Sequence, residues 1–320
     1  MKRRTAIWMI VGGALILLGC MIFLGVMTMY KWDFSKLSTV KYESNEHTVT
    51  EPYRGISIRT VSADIVLVPS DGSDTTVTCY EEVNVRHTVS VKDGALVIEV
   101  HDTRKWYEHI GIVFQQPKIT VSLPEGIYGA LQIHAVTGDI RIPKGFEFES
   151  IDISEKTGDI TVRSSVSGST KISTTTGDIR AEHLLAGSLA LSVTTGEISV
   201  SDVMCSGDLC LNVTTGEGEL CNIRCRNFTS SGTTGSLSLK NLIAEECLSV
   251  ERVTGDVRLD GVDAAELFIK TSTGSVTGTV LSEKIFLAHT STGRVDVPHT
   301  ASGGKCEITT TTGNIRIRLP

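Results

Sequence analysis

The chain has 320 residues, 40% of them hydrophobic but only 5% aromatic, with 30 glycines and a formal charge of −7. So few aromatics exclude a thick globular core of ordinary make-up and suit thin cores of Val, Ile, Leu, Thr and Gly. The acidic balance, with no basic patch beyond the first four residues, argues against a phosphate-binding surface and so against a nucleic-acid partner.

In chain order, Lys2, Arg3 and Arg4 precede an uncharged run from Ala6 to Tyr30. A helix of that length, rising about 1.5 Å per residue, exceeds a hydrocarbon layer of about 30 Å. Residues 5–30 therefore read as a transmembrane anchor. Residues 1–4 form a cytoplasmic tip, and the rest lies outside the cytoplasm by the positive-inside tendency. Trp8, Tyr30 and Trp32 stand where interfacial aromatics belong. Two rival readings exist: a lipoprotein processed at Leu17-Leu18-Gly19-Cys20, and a cleaved signal peptide. The run stays apolar from Met21 to Met27, which favours the uncleaved anchor.

Residues 31–50 read as a polar linker whose first strand is undefined. Residues 51–130 read as a β-rich starting region that covers the membrane-proximal end. It alternates at Gly55–Thr60, Asp64–Val68, Thr75–Tyr80, Val83–Val91 and Ala95–Val100, with turn signals at 70–74 and 92–94. A polar loop, His101–Gln116, carries Trp106 and Tyr107, and a strand follows at Lys118–Leu123.

Residues 131–320 are periodic. Thr-Gly recurs with its glycine at 138, 158, 177, 196, 216, 235, 255, 274, 293 and 313, always 19 or 20 residues apart. Apolar residues stand two and four places after most of these glycines, as at Ile140 and Ile142, and five places before, as at Ile133. Gly218, Ser230, Gly278 and Ala288 break those rows. Period two on both flanks means a strand on each side of the glycine, each with one buried face. The coils are too short for a crossover helix, so each strand must stack on its counterpart in the next coil. The fold class is therefore all-β: a parallel β-solenoid of about ten coils, right-handed by the crossover rule and about 45–50 Å long at about 4.8 Å per coil. The glycine turns a corner that L-residues reach only with strain, and the Thr hydroxyls are expected to pass a hydrogen bond from coil to coil. Gly196→Val is expected to cost about 1–3 kcal/mol from strain alone, unlike a change at outward Ser199.

The steps Thr137–Ile140, Thr157–Ile160 and Thr176–Ile179, with Val61–Ile65 and Ile119–Pro124, resemble the bacterial putative-adhesin family of β-strand-repeat proteins of unknown function. The resemblance spans about residues 50–320 and implies the fold and a place in the cell envelope. It brings no catalytic or ligand residues with it.

Acids follow many corner glycines: Asp139, Asp159, Asp178, Glu197, Glu217 and Asp256. Stacked, they suit either Ca²⁺ or simple bonding to nearby amides, and the interruptions at Ser236, Ser275, Arg294 and Asn314 favour amides. Of eight cysteines, Cys205 and Cys225 lie nine residues after their glycine, where other coils have Ala186, Ala244 and Ala264. They read as stacked core residues at a second corner. Cys306 reads as inward, Cys210 and Cys221 as outward, with free thiols, one or two disulfides, and metal ligation all left open. His134, His183, His289 and His299 are scattered, and no catalytic, metal or cofactor constellation is legible.

The expected function is a non-catalytic surface interaction module whose partner is a cell-envelope polymer or a surface protein. The alternatives are an envelope-stress component acting in cis through a membrane partner, and a polysaccharide-active β-helix enzyme. Coils of near-constant length leave no room for a built-up cleft, which argues against the enzyme. The last strand, Asn314–Leu319, is expected to leave a free edge open to self-association.

Overall fold

The computed structural model describes residues 3–32, 41–105 and 115–320. A single helix, Arg3–Met29, contains the segment Ile7–Met29, whose mean hydropathy of 2.6 makes it long and apolar enough to cross a membrane. Among the described residues, every regular element after it is a β-strand. Trp106 and Tyr107 lie outside the described residues.

The repeats stack in parallel and in register, so that Ile153 sits on Ile133 and Ile172 on Ile153. Below the tip coil, the residues two and four after the glycines, and five before them, form buried columns, with Gly278 half-buried. Burying each Ile, Leu or Val there contributes about 1.5–3 kcal/mol, which no isolated coil could gain. At the corner the ladder continues without a break: Gly158 N–H donates to Thr176 O at 3.0 Å, and Gly196 N–H to Thr215 O at 3.1 Å. Every corner glycine has positive φ, from 123° at Gly235 to 154° at Gly274.

Three details differ from the sequence reading. The hydroxyls that link coils belong to an inward threonine three places before the glycine, not to the exposed one beside it. Thr310 donates to Gly274 O at 3.0 Å and Thr290 to Gly313 O at 2.9 Å. The second corner lies six residues after the glycine rather than nine. There His183, Asp202, Asn222 and Asn241 take φ between 50° and 58°, a left-handed turn that Asn, Asp and Gly tolerate best. Asn241 donates to Asn222 at 3.0 Å and Asn222 to Asp202 at 2.8 Å, capping that column. Cys205 and Cys225 are buried three residues further on, stacked in line with Ala186 and Ala244. Within the linker, Tyr42–Val49 is a strand, antiparallel to Thr75–Glu82.

The largest difference concerns the order of coils at the two ends. Gly55–Arg59 and Asp64–Ser70 form a true coil, held between Gly126–His134 with Ile140–Ile142 on one side and Ala95–Asp102 with Lys118–Pro124 on the other. Antiparallel strands, Tyr42–Val49, Thr75–Glu82 and Val85–Lys92, then cap that base. At the far end the C-terminal coil slips inward. Gly304–Thr312 lies between Glu266–Thr273 and Lys284–Thr292, and Ile315–Arg318 lies between Val276–Val280 and Val295–Asp296. The expected free edge at Asn314–Leu319 is therefore not an edge: it is paired on both sides. Arg318 binds Asp296 at 2.5 Å and so ties it to the coil above. The tip of the column is Lys284–Asp296.

Two of the breaks in the apolar rows, Gly218 and Ser230, have one cause. Arg252, three places before its glycine, points into the core and is 1% exposed. Its guanidinium donates to Ser230 Oγ at 3.0 Å and Val213 O at 3.4 Å. A Cβ on Gly232 would overlap it, and one on Gly218 would stand 3.7 Å away. Small residues at 218, 230 and 232 thus make the space that Arg252 fills. Gly232→Val should destabilise the full chain by about 2 kcal/mol, and adding Arg252→Thr should restore only part of that, because a Cβ at 232 would also stand 2.6 Å from Val213 O. Equal unfolding midpoints for the single and double variants would show that the two sites are not coupled.

Candidate functional site

Three regions carry chemistry beyond the core: a cleft in the basal cap, the corner column, and the outward face beside that column.

The cleft, about 420 Å³, lies where the cap meets the first corner and is lined by Thr60, Ser62, Glu82, His87, Arg104 and Thr137 among others. Behind it is a buried polar cluster that the sequence did not reveal. His87 Nδ1 and the His87 backbone N–H both lie 2.7 Å from the same Glu81 oxygen, and His87 Nε2 is 3.0 Å from Thr60 Oγ1. Asn45 donates to the other Glu81 oxygen at 2.8 Å. Cys79 Sγ completes a group whose ligand atoms lie within 4.8 Å of one another. Cys, Glu and His form a donor set that zinc accepts. Here, though, Glu81 is already occupied by three donors and His87 by a proton-sharing contact at each ring nitrogen. Burial and the adjacent Glu81 push the Cys79 thiol up to about 12, away from the thiolate a nucleophilic reaction needs.

Thr60, His87 and Glu81 have the connectivity of a hydrolase triad. Thr60 is only 5% exposed, and its partners come from strands of the cap, so the network pins the hairpin onto the first corner. The only hint in the sequence was that Cys79, Glu81 and His87 all fall on inward positions of alternating strands. Spacing alone could not say that the two strands and Thr60 meet. Of the scattered histidines, His183 serves the second corner, with Nδ1 3.2 Å from Asp202, while His134, His289 and His299 are exposed.

In the corner column the aspartates bind amides, not one another. Asp64 accepts from Asp139 N–H at 2.9 Å, Asp139 from Asp159 N–H at 3.2 Å, Asp159 from Asp178 N–H at 2.9 Å and Asp178 from Glu197 N–H at 2.9 Å. The same relay runs on through polar residues: Asp256 takes Ser275 N–H at 2.8 Å, and Asn314 takes Arg294 N–H at 2.9 Å. Arg141 and Arg180 bind the second oxygens of Asp139 and Asp178, at 2.7 and 2.9 Å. This is the amide-bonding alternative of the two the sequence allowed.

One acid is different. Glu155 faces inward beneath Gly158, is 4% exposed, and finds no hydrogen-bond partner for either oxygen. Burial, helped by Asp139, Asp159 and Asp64, pushes its carboxyl up to about 8. All eight cysteines are free; Cys79, Cys205, Cys225 and Cys306 are buried, Cys210 is exposed, and Cys221 is half-buried.

The outward face beside the corner carries stacked hydroxyl and amide side chains. Ser154, Ser173, Ser192, Asn212 and Ser231 form one row, and Thr175, Thr194, Thr214 and Thr233 a parallel row two residues on.

This architecture has known relatives. The Toastrack DUF4097 family model matches residues 53–221 and again residues 206–320, which together take in both ends of the column. The chain belongs to that family. Solved structures similar to this Toastrack protein include two described as putative adhesins. One, from Bacteroides fragilis NCTC 9343, has 16% identity and TM-score 0.44, over 88% of this chain and 97% of that one. The other, from Parabacteroides distasonis ATCC 8503, has 13% identity and TM-score 0.49, over 75% and 98%. A putative lipid binding protein from Parabacteroides distasonis ATCC 8503 has 16% identity and TM-score 0.47, over 88% and 98%. No curated protein matches.

Proposed function

We propose that this Toastrack chain is a membrane-anchored, extracytoplasmic β-solenoid that serves as a non-catalytic surface interaction module. The observation that carries this reading is the flat pair of outward Ser and Thr rows on a column whose coils are locked by continuous ladders. Successive side chains stand about 4.8 Å apart along the column and about 6.7 Å apart along each strand, a regular polar lattice suited to an extended polymer or a broad protein face. The apolar helix leads through the linker into the basal cap, so anchoring it in the membrane leaves the column to project away. Putative adhesins among its structural neighbours agree with such a role.

The test is retention of proteoliposomes carrying the full chain on insoluble cell-wall material, against protein-free vesicles. A variant with Thr194→Glu and Thr214→Glu changes only outward residues and should lose about 10-fold in retention while unfolding at the same temperature. Equal retention of loaded and empty vesicles would refute the module reading.

A further inference from the structure

The two ends of the column are finished differently. At the base, antiparallel strands cover the outermost coil. At the tip, Lys284–Thr292 pairs with Gly304–Thr312 on one side only, and no described strand lies beyond it. In the stacked coils the carbonyl four places before the corner glycine turns toward the coil below. Ser154 O accepts from Ala135 N–H and His134 O from Thr60 N–H, both at 3.0 Å, and the same place in this strand is His289. The N–H and C=O groups of Phe286, Ala288 and Thr290 therefore face the open end.

The side chains there match an edge awaiting a partner. Ile285 and Leu287 are 47% and 52% exposed in an outward row that is polar in most coils. Phe286, Ala288 and Val297, core residues by position, stay only partly buried because nothing stacks on them. Val295 is 40% exposed, whereas its counterparts Val276 and Ile315 are at 0%. The usual protections of an edge are missing: between Ile285 and Thr292 there is no Lys, Arg, Asp, Glu or Pro. Lys284, just before, is turned inward onto Asp263 at 2.9 Å, and the 298–303 loop bonds back only at Glu283 and Lys284.

We infer that the tip is a homophilic interface: Lys284–Thr292 pairs antiparallel with the same strand of a second copy, joining two columns end to end. The occupant follows from self-complementarity. Two identical ends related by a two-fold axis bring this strand against itself in antiparallel sense. A register centred on Ala288 sets Leu287 opposite His289 and Ile285 opposite Ser291. It bonds Ala288 to Ala288 and Phe286 to Thr290 through the groups that face the open end, opposes no like charges, and covers Phe286 and Ala288 of both copies. The chain enters through the basal cap, so the tip is the end farthest from the helix, and two membranes bearing the chain can be bridged. This deepens the surface-module reading, and rests on it, by naming a second copy of the chain as a partner.

The experiment mixes two populations of liposomes carrying the full chain, labelled with donor and acceptor lipids, and reads clustering by energy transfer. Wild-type vesicles should cluster, and Leu287→Lys should slow clustering about 10-fold. Because residue 287 faces residue 289 across the axis, Leu287→Lys vesicles mixed with His289→Glu vesicles should recover. Thr309→Lys, on the same face one coil lower, should change nothing, and unfolding temperatures confirm that every variant is folded. Wild-type vesicles that stay dispersed, or Leu287→Lys vesicles that cluster as wild type does, would overturn the interface. Retention on cell-wall material, read on the same vesicles, reports separately on the module, so the two readings can fail independently.

Discussion

Gly196→Val should lower the stability of the full chain by about 4 kcal/mol, well beyond the 1–3 kcal/mol that backbone strain alone would take. The excess has its own cause. A Cβ at this corner would fall on the carbonyl oxygen of Gly177 in the coil below, and the same overlap recurs at Gly177 against Gly158 and at Gly216 against Gly196. That carbonyl belongs to a ladder bonded on every coil, so it cannot yield without opening its neighbours. Positive φ and close backbone approach thus demand glycine twice over. Ser199→Ala, three residues on and outward, should stay within about 0.5 kcal/mol of wild type. Denaturant unfolding of the full chain in detergent measures both, and a difference under 1 kcal/mol between them would remove the corner from the account.

Glu155→Thr should stabilise the chain, and by an amount that depends on pH. Four other coils place Thr here: Thr174, Thr271, Thr290 and Thr310 each donate to a corner glycine carbonyl. Glu155 offers no such bond and leaves two orphaned oxygens. Its folded-state value of about 8 lies above the ordinary 4.5. The native chain therefore keeps a proton that the unfolded chain releases, and stability is highest below about pH 4.5 and declines as pH rises through 8. Between pH 5 and pH 9 this one residue should remove about 3 kcal/mol, taking into account the nearby solvent at the corner. The variant should lack that slope and gain most at pH 9. Parallel pH profiles for wild type and variant would show that Glu155 is already satisfied.

Much of this was visible in the order of residues. A Thr-Gly step every 19 or 20 residues, flanked by alternating Ile, Val and Leu, allows only strands that stack on their own repeats, and a run such as Ala6–Tyr30 forms an apolar helix wherever it sits. Local rules were enough because each coil meets only its neighbours. Where a contact joins residues far apart, those rules had nothing to work on. Thr60, Glu81 and His87 meet through the folding of the cap, and Gly218 and Ser230 looked like lapses until Arg252, 34 and 22 places on, was seen lying across them. The coil order at the tip is the clearest case. The pattern around Gly293 and Gly313 is the same, so either coil could sit on Gly274, and only the tertiary pairing puts Gly313 there and leaves Ile285 and Leu287 at the end. Periodicity determines what stacks; which copy lies outermost depends on how the connecting loops close, and that is a property of the folded chain alone.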